Sequence, residues 1–113
     1  MQRGEIVLGL FPFGDMTGNK VRPLLLLTGP VGSGMEIVAA YISSVIPPSL
    51  RASDILLDAA QPQHRSTGLK VVSVLRLHKI GTIHTSNVRR YIGSLSPATQ
   101  REVDAKLRVV LNL

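Results

Sequence analysis

Apolar runs of strand length, separated by clusters of Gly, Pro, Asn and Asp, occupy the chain as far as residue 95, and a single helical pattern follows. Gly4–Phe11 reads as a first strand. Arg22–Thr28 reads as a second, and its unbroken apolar run predicts burial on both faces. Gly29–Gly34 is glycine-rich but lacks the Lys-Ser/Thr ending of a phosphate loop, so it reads as a hairpin turn. Met35–Ser43 is the third strand. Pro47-Pro48-Ser49 breaks the chain, and Ser53–Asp58 is a short fourth strand. Ala59–Thr67 is polar and loop-like, with room for a helical turn. Leu69–Ile83 is a long β-rich stretch, bent near Gly81. Ser86–Tyr91 reads as a short helical turn leading to a brief strand ending at Gly93.

Ser96–Leu113 is the helix. Ser96 suits the N-cap and Pro97 the first helical position. Val103, Leu107, Val110 and Leu111 form one apolar stripe, with Arg101, Asp104, Ala105 and Arg108 opposite. Many short strands followed by one helix predict a single, mainly β domain over residues 1–113: a small barrel with a helix packed on it.

Composition sharpens this picture. At 113 residues there is room for one core, yet 44% of the residues are hydrophobic and the mean hydropathy is +0.23. That apolar excess points to a buried subunit interface, hence a homodimer. No apolar run approaches the roughly 20 residues of a membrane span, and Met1–Glu5 leads straight into a strand, without the pattern of a secretory signal. Cysteine is absent, which removes thiolate metal sites and suits the cytosol. A net charge of +6 favours a polyanionic or acidic partner over an ordinary basic surface.

The candidate chemistry begins in Phe11–Pro23. This turn-rich stretch holds Gly14, Asp15, Gly18 and Asn19 and ends with Arg22 at the root of a strand. An Arg held there is a natural clamp for phosphate or carboxylate. Thr17 and Lys20 in the loop, and Ser44 after the third strand, are the substrate-binding candidates. On the long strand, alternation puts Leu75, Leu77 and Ile83 on one face with Val71 and Ser73, and Arg76, His78, Thr82 and His84 on the other. Arg76 and His78 then lie roughly 7 Å apart, an arrangement able to handle a phosphodiester and equally able to be a solvated strand face. Ser43 ends a strand, where a hydroxyl either holds a turn or meets a phosphate. The three histidines have no metal-ligand spacing, so no metal or cofactor is expected. Four aromatic residues are too few for an extended base-stacking platform.

The order of these blocks resembles the MazF/PemK toxins. Phe11-Pro12-Phe13, Asp15 and Arg22-Pro23 look like that family's first block. Arg3-Gly4-Glu5-Ile6-Val7, Ile37–Ser44, Gly68-Leu69-Lys70, Ser73–Arg76, Ile80–Ile83, Ile92–Ser96 and Val103-Asp104 are similar to segments that follow in the same order. The resemblance implies an SH3-like β-barrel of the MazF/PemK/CcdB type with a C-terminal α-helix. It implies a homodimeric, cytoplasmic, metal-independent endoribonuclease that acts on single-stranded RNA. It also implies an acidic antitoxin partner, with DNA met only through that antitoxin.

Carried over by position, Arg22 and Ser43 correspond to the family's catalytic Arg and Thr. Arg76 matches a second Arg of some members, in which an acidic residue two positions on serves as base; here that position is His78. Gly81 stands where Arg is frequent and His84 where Asp is frequent, and the loop before Arg22 lacks a common Glu-Gln pair. DNA-gyrase poisons of the same fold keep a second expectation open, a barrel that binds RNA or protein without cleaving.

Overall fold

The computed structural model of the chain describes residues 1–11 and 20–113. Its strands are β1 (Glu5–Gly9), β2 (Arg22–Leu26), β3 (Glu36–Ser43), β4 (Asp54–Leu57), β5 (Ser73–His84) and β6 (Val88–Ser94). They form one antiparallel sheet in the order β4-β5-β3-β2-β1-β6. Among the described residues, two 3-10 helices, η1 (Pro62–Thr67) and η2 (Thr85–Asn87), and one α-helix, α1 (Pro97–Val110), accompany it. The mainly β fold with a C-terminal helix is the one expected.

The hydrophobic pattern explains most of this. Leu24, Leu25 and Leu26 all have 0% exposure, because β2 is buried on both faces. Leu25 joins Ile6, Ile42, Leu75, Leu77 and Val103 in one cluster. Leu24 and Leu26 join Val7, Phe11, Ile37, Ala39 and Ile83 in the other. The glycine-rich segment after β2 is the expected hairpin turn, with the Val31 N–H donating to the Glu36 carbonyl at 2.9 Å. Ser96 caps α1 by accepting the Thr99 N–H at 3.2 Å.

Three expectations are corrected. Leu75 and Leu77 do not share a face with Ile83; they belong to opposite clusters. Tyr41 lies opposite Arg76, but Ala40 lies opposite Ile80. The odd number of extra residues, Leu77–Lys79, inverts the alternation of everything after them. Thr82 and His84 therefore leave the Arg76 face, and the irregularity falls ahead of Gly81. Second, the stripe on α1 runs through Thr99 and Val103 to Leu107, while Leu111 lies beyond the helix and is 52% exposed. Third, strand begins at Val88, so the helical turn is confined to Thr85–Asn87.

The edge strands β4 and β6 do not pair with each other. The chain leaving β4 closes the gap: η1 docks on β6, and Ser66 Oγ donates to the Ser94 carbonyl at 2.8 Å. Two glycines allow the approach. Gly68 ends η1 at φ +73°, where a Cβ would lie 1.9 Å from the Ile92 carbonyl oxygen. A Cβ on Gly93 would lie 2.3 Å from the Thr67 carbonyl oxygen. This closure also builds one wall of the cleft described next.

Candidate nucleic-acid interface

A cleft of about 570 Å³ opens where the start of β2 meets the end of β3 and the seam between Gly68–Val71 and β6. That volume suits a small-molecule or single-nucleotide site. Leu8, Pro23, Ile42, Leu69 and Ile92 supply its apolar lining; Arg22, Lys70 and Arg90 bring cations, and Ser44, Ser73 and Tyr91 bring hydroxyls. Among the described residues, no carboxylate lines it. Cations over an apolar floor match a phosphate backbone carrying unstacked bases.

Arg22 joins this cleft to a second group of residues. Its Cζ lies 5.9 Å from the centre of the Tyr41 ring, and Lys79 Nζ lies 5.6 Å from the same centre. Tyr41 stands opposite Leu24 on β2 and Arg76 on β5, and Arg76 stands opposite Asp54 on β4. Arg22, Tyr41, Arg76 and Asp54 thus share one face of four adjacent strands.

Asp54, which the sequence does not single out, anchors that row. Its side chain is wholly buried, and its Oδ1 accepts Arg76 Nε at 3.0 Å. Its Oδ2 accepts the Arg51 backbone N–H at 2.8 Å. Burial pushes the carboxyl up, but the Arg51 N–H and the Arg76 guanidinium outweigh it and hold Asp54 below the usual carboxylate range. His78 Nδ1 lies 2.7 Å from Ser53 Oγ and 4.0 Å from Asp54 Oδ1. Burial, followed by the Arg76 charge, pulls the imidazole below its ordinary value; Asp54 opposes them only in part. His78 is thereby neutral at neutral pH, the form that accepts a proton.

The other candidates fall as follows. Ser43 is buried; its Oγ accepts the Val45 N–H at 3.0 Å and donates to the Val45 carbonyl at 3.5 Å, so it holds a turn while Ser44 lines the cleft. Lys20 is exposed, and Thr17 lies outside the described residues. His64 packs near Thr99, and His84 caps η2 through Ser86, so neither meets His78. No cluster of metal-ligating side chains occurs among the described residues. Lys70, Arg90 and Tyr91 were missed because only tertiary pairings bring them beside Arg22: β1 joins β6 to β2, and the η1–β6 closure adds Lys70.

The comparisons agree with this architecture. The family model for the PemK-like, MazF-like toxins of type II toxin–antitoxin systems matches residues 2–111. The chain belongs to that family. Among solved structures it is similar to the Mycobacterium tuberculosis toxin MazF-mt6, with TM-score 0.73 and 22% identity over 96% of this chain and 97% of that one. It is also similar to a MazE–MazF structure from Deinococcus radiodurans, with TM-score 0.74 and 19% identity over 100% and 97%. A mycobacterial endoribonuclease in complex with its cognate antitoxin gives TM-score 0.73 and 16% identity over 100% and 96%. At these identities the structures establish the fold. No curated protein matches the sequence significantly. Among the described residues, no helix is long and apolar enough to cross a membrane.

Proposed function

We propose that the protein is a metal-independent endoribonuclease toxin that cleaves single-stranded RNA in the cytosol and is held in check by an acidic antitoxin. The observation that carries this reading is Arg22 at the rim of a cleft shared with Lys70 and Arg90, with no carboxylate among the described residues that line it. Family membership supports it, as do the endoribonuclease and antitoxin named in the structural neighbours.

The reaction is a transesterification. The ribose 2′-oxygen attacks the adjacent phosphorus as its proton passes to a base, and the 5′-oxygen leaves with a proton from solvent. A 2′,3′-cyclic phosphate, or the 3′-phosphate after hydrolysis, remains opposite a 5′-OH. Arg22 stabilises the charge that builds on the phosphorane oxygens. Ser43 exchanges its long 3.5 Å bond to Val45 for one to a phosphate oxygen. Arg76 contributes electrostatically, because a guanidinium is too weak an acid to give up a proton. His78 accepts the 2′-OH proton. Lys20 and Ser44 hold the flanking backbone, with Thr17 as a further contact.

A homodimer is part of the proposal, supported by the exposed side chains of Val45, Leu50, Leu56 and Val71. Light scattering at micromolar concentration should give twice the chain mass; a monomer contradicts that part.

A binding-only barrel is the second reading. It is favoured by one observation: Arg76 and Ser43 already have partners inside the protein. Incubation of purified protein with mixed RNA in EDTA, followed by mapping of the ends, separates the two. We expect discrete cuts bearing 5′-OH ends. Retention of RNA without cutting would leave the binding-only barrel.

A further inference from the structure

β4 is a short edge strand, yet its first residue carries a wholly buried carboxylate. Ile55 and Leu57 turn into the core, so alternation directs Asp54 to the opposite face, across from Arg76. There Asp54 grips the guanidinium at two points, Nε at 3.0 Å and Nη2 at 3.4 Å. The Arg51 N–H locks the same carboxylate from behind. The preceding residue, Ser53, is also buried and bonds His78 Nδ1. Two neighbouring side chains, one just before β4 and one at its start, therefore hold both polar residues of β5 whose roles in cleavage were inferred above.

We propose that Ser53 and Asp54 are positioning residues of the RNA-cleaving site: Asp54 aims Arg76, and the pair keeps the proton of neutral His78 on Nδ1, leaving Nε2 to accept the proton from the ribose. The proposal rests on the reading of Arg76 and His78 as residues that act on RNA.

The physical argument is electrostatic. Among the described residues, the charged groups facing His78 are Arg76 and Lys79 from β5, Arg51 from the turn before β4, and Asp54. Asp54 is the one anion among them. A carboxylate 4.0 Å from Nδ1 favours an N–H at that nitrogen, since the positive end of the bond then faces the negative charge. Ser53 Oγ accepts that hydrogen. The Nε2 lone pair takes the 2′-OH proton as the 2′-oxygen bonds to phosphorus and the bond to the 5′-oxygen breaks. Asp54 then offsets the charge of the imidazolium, which would otherwise form among cations alone.

Asp54→Asn, Ser53→Ala and Ser53→Thr test this in the full-length protein, with cleavage kinetics on one RNA of mapped cut site and nitrogen-15 NMR titration of the histidine rings. In Asp54→Asn, the His78 midpoint should fall by about one unit or more, because one opposite charge at this range is worth about 1–3 units. The lower limb of the kcat profile should move with it. At neutral pH kcat should fall by about 100-fold, while KM does not rise, since losing an anion cannot weaken the hold on RNA. Ser53→Ala should move the ring proton toward Nε2, and Ser53→Thr, which keeps the hydroxyl, should restore the parent tautomer and rate.

A parent protein that cuts no RNA overturns the functional reading. A parent that cuts RNA, with folded Ser53→Ala showing the parent tautomer and pH profile, overturns the positioning role alone. So does a folded Asp54→Asn with an unmoved His78 midpoint. If Asp54→Asn does not fold, the Ser53 pair decides.

Discussion

Arg22→Ala should slow RNA cleavage by roughly 100- to 1,000-fold, the usual cost of removing one preorganised donor to a developing oxyanion. His78→Ala, which removes the base, should cost about 100-fold, and Arg22→Ala should cost at least as much. Arg22 is half-buried at the start of β2, lines the cleft and lies over Tyr41, so its guanidinium is held where a phosphate would enter. The fold should survive, because an Arg–aromatic contact of this kind is worth only about 0.5–1 kcal/mol. Arg22→Lys should rescue little, since a point charge cannot reproduce a bidentate fork. Arg76→Ala is a poorer comparison than the sequence alone implies. It strands the buried Asp54 carboxylate, and breaking such a pair costs about 3–5 kcal/mol. Kinetics of that variant must therefore be read beside its melting curve. Cleavage by Arg22→Ala at the parent rate would remove Arg22 from the site.

Gly68→Ala and Gly93→Ala should each cost about 3 kcal/mol or more through overpacking, lowering the melting temperature by roughly 10 °C. Both glycines sit where η1 closes the sheet onto β6. At Gly68 a Cβ would press within 1.9 Å of a backbone oxygen, and at Gly93 within 2.3 Å. Neither obstacle is a flexible side chain that could swing away. Gly32 is the control: its φ of +62° is also left-handed, but nothing lies within 4 Å of its added Cβ. Gly32→Ala should cost only the backbone strain, about 1 kcal/mol. Equal melting temperatures for the three variants would mean that the η1–β6 contact does not close the barrel.

The elements with the simplest periodicity were the most legible. β1 to β4 follow from apolar runs bounded by turn residues, and α1 from Ser96, Pro97 and the Val103 stripe. β5 resisted, because strand alternation assumes an unbroken register. The extra residues at Leu77–Lys79 invert the pattern, sending Ile83 to the face opposite Leu75. No local signal marks that insertion.

The site shows the same divide. Arg22 stood out because it is placed at a junction between loop and strand. Asp54 and Ser53 did not, since their value comes from partners 22 and 25 residues away, chosen by the pairing of β4 with β5. Arg90 and Tyr91 gain meaning only once β1 has joined β6 to β2, and Lys70 only once η1 has folded back onto β6. Pairings across strands and closures between edges are tertiary facts, so local chemistry alone does not disclose them.

The most direct test of the account replaces one ribose by deoxyribose at a mapped cleavage site, in an otherwise unchanged RNA, with EDTA present. The account assigns the attacking oxygen to the substrate itself. Cleavage at that position should disappear, while binding persists and other sites in the same RNA are still cut. Cleavage of the deoxy position at an undiminished rate would contradict attack by the 2′-OH.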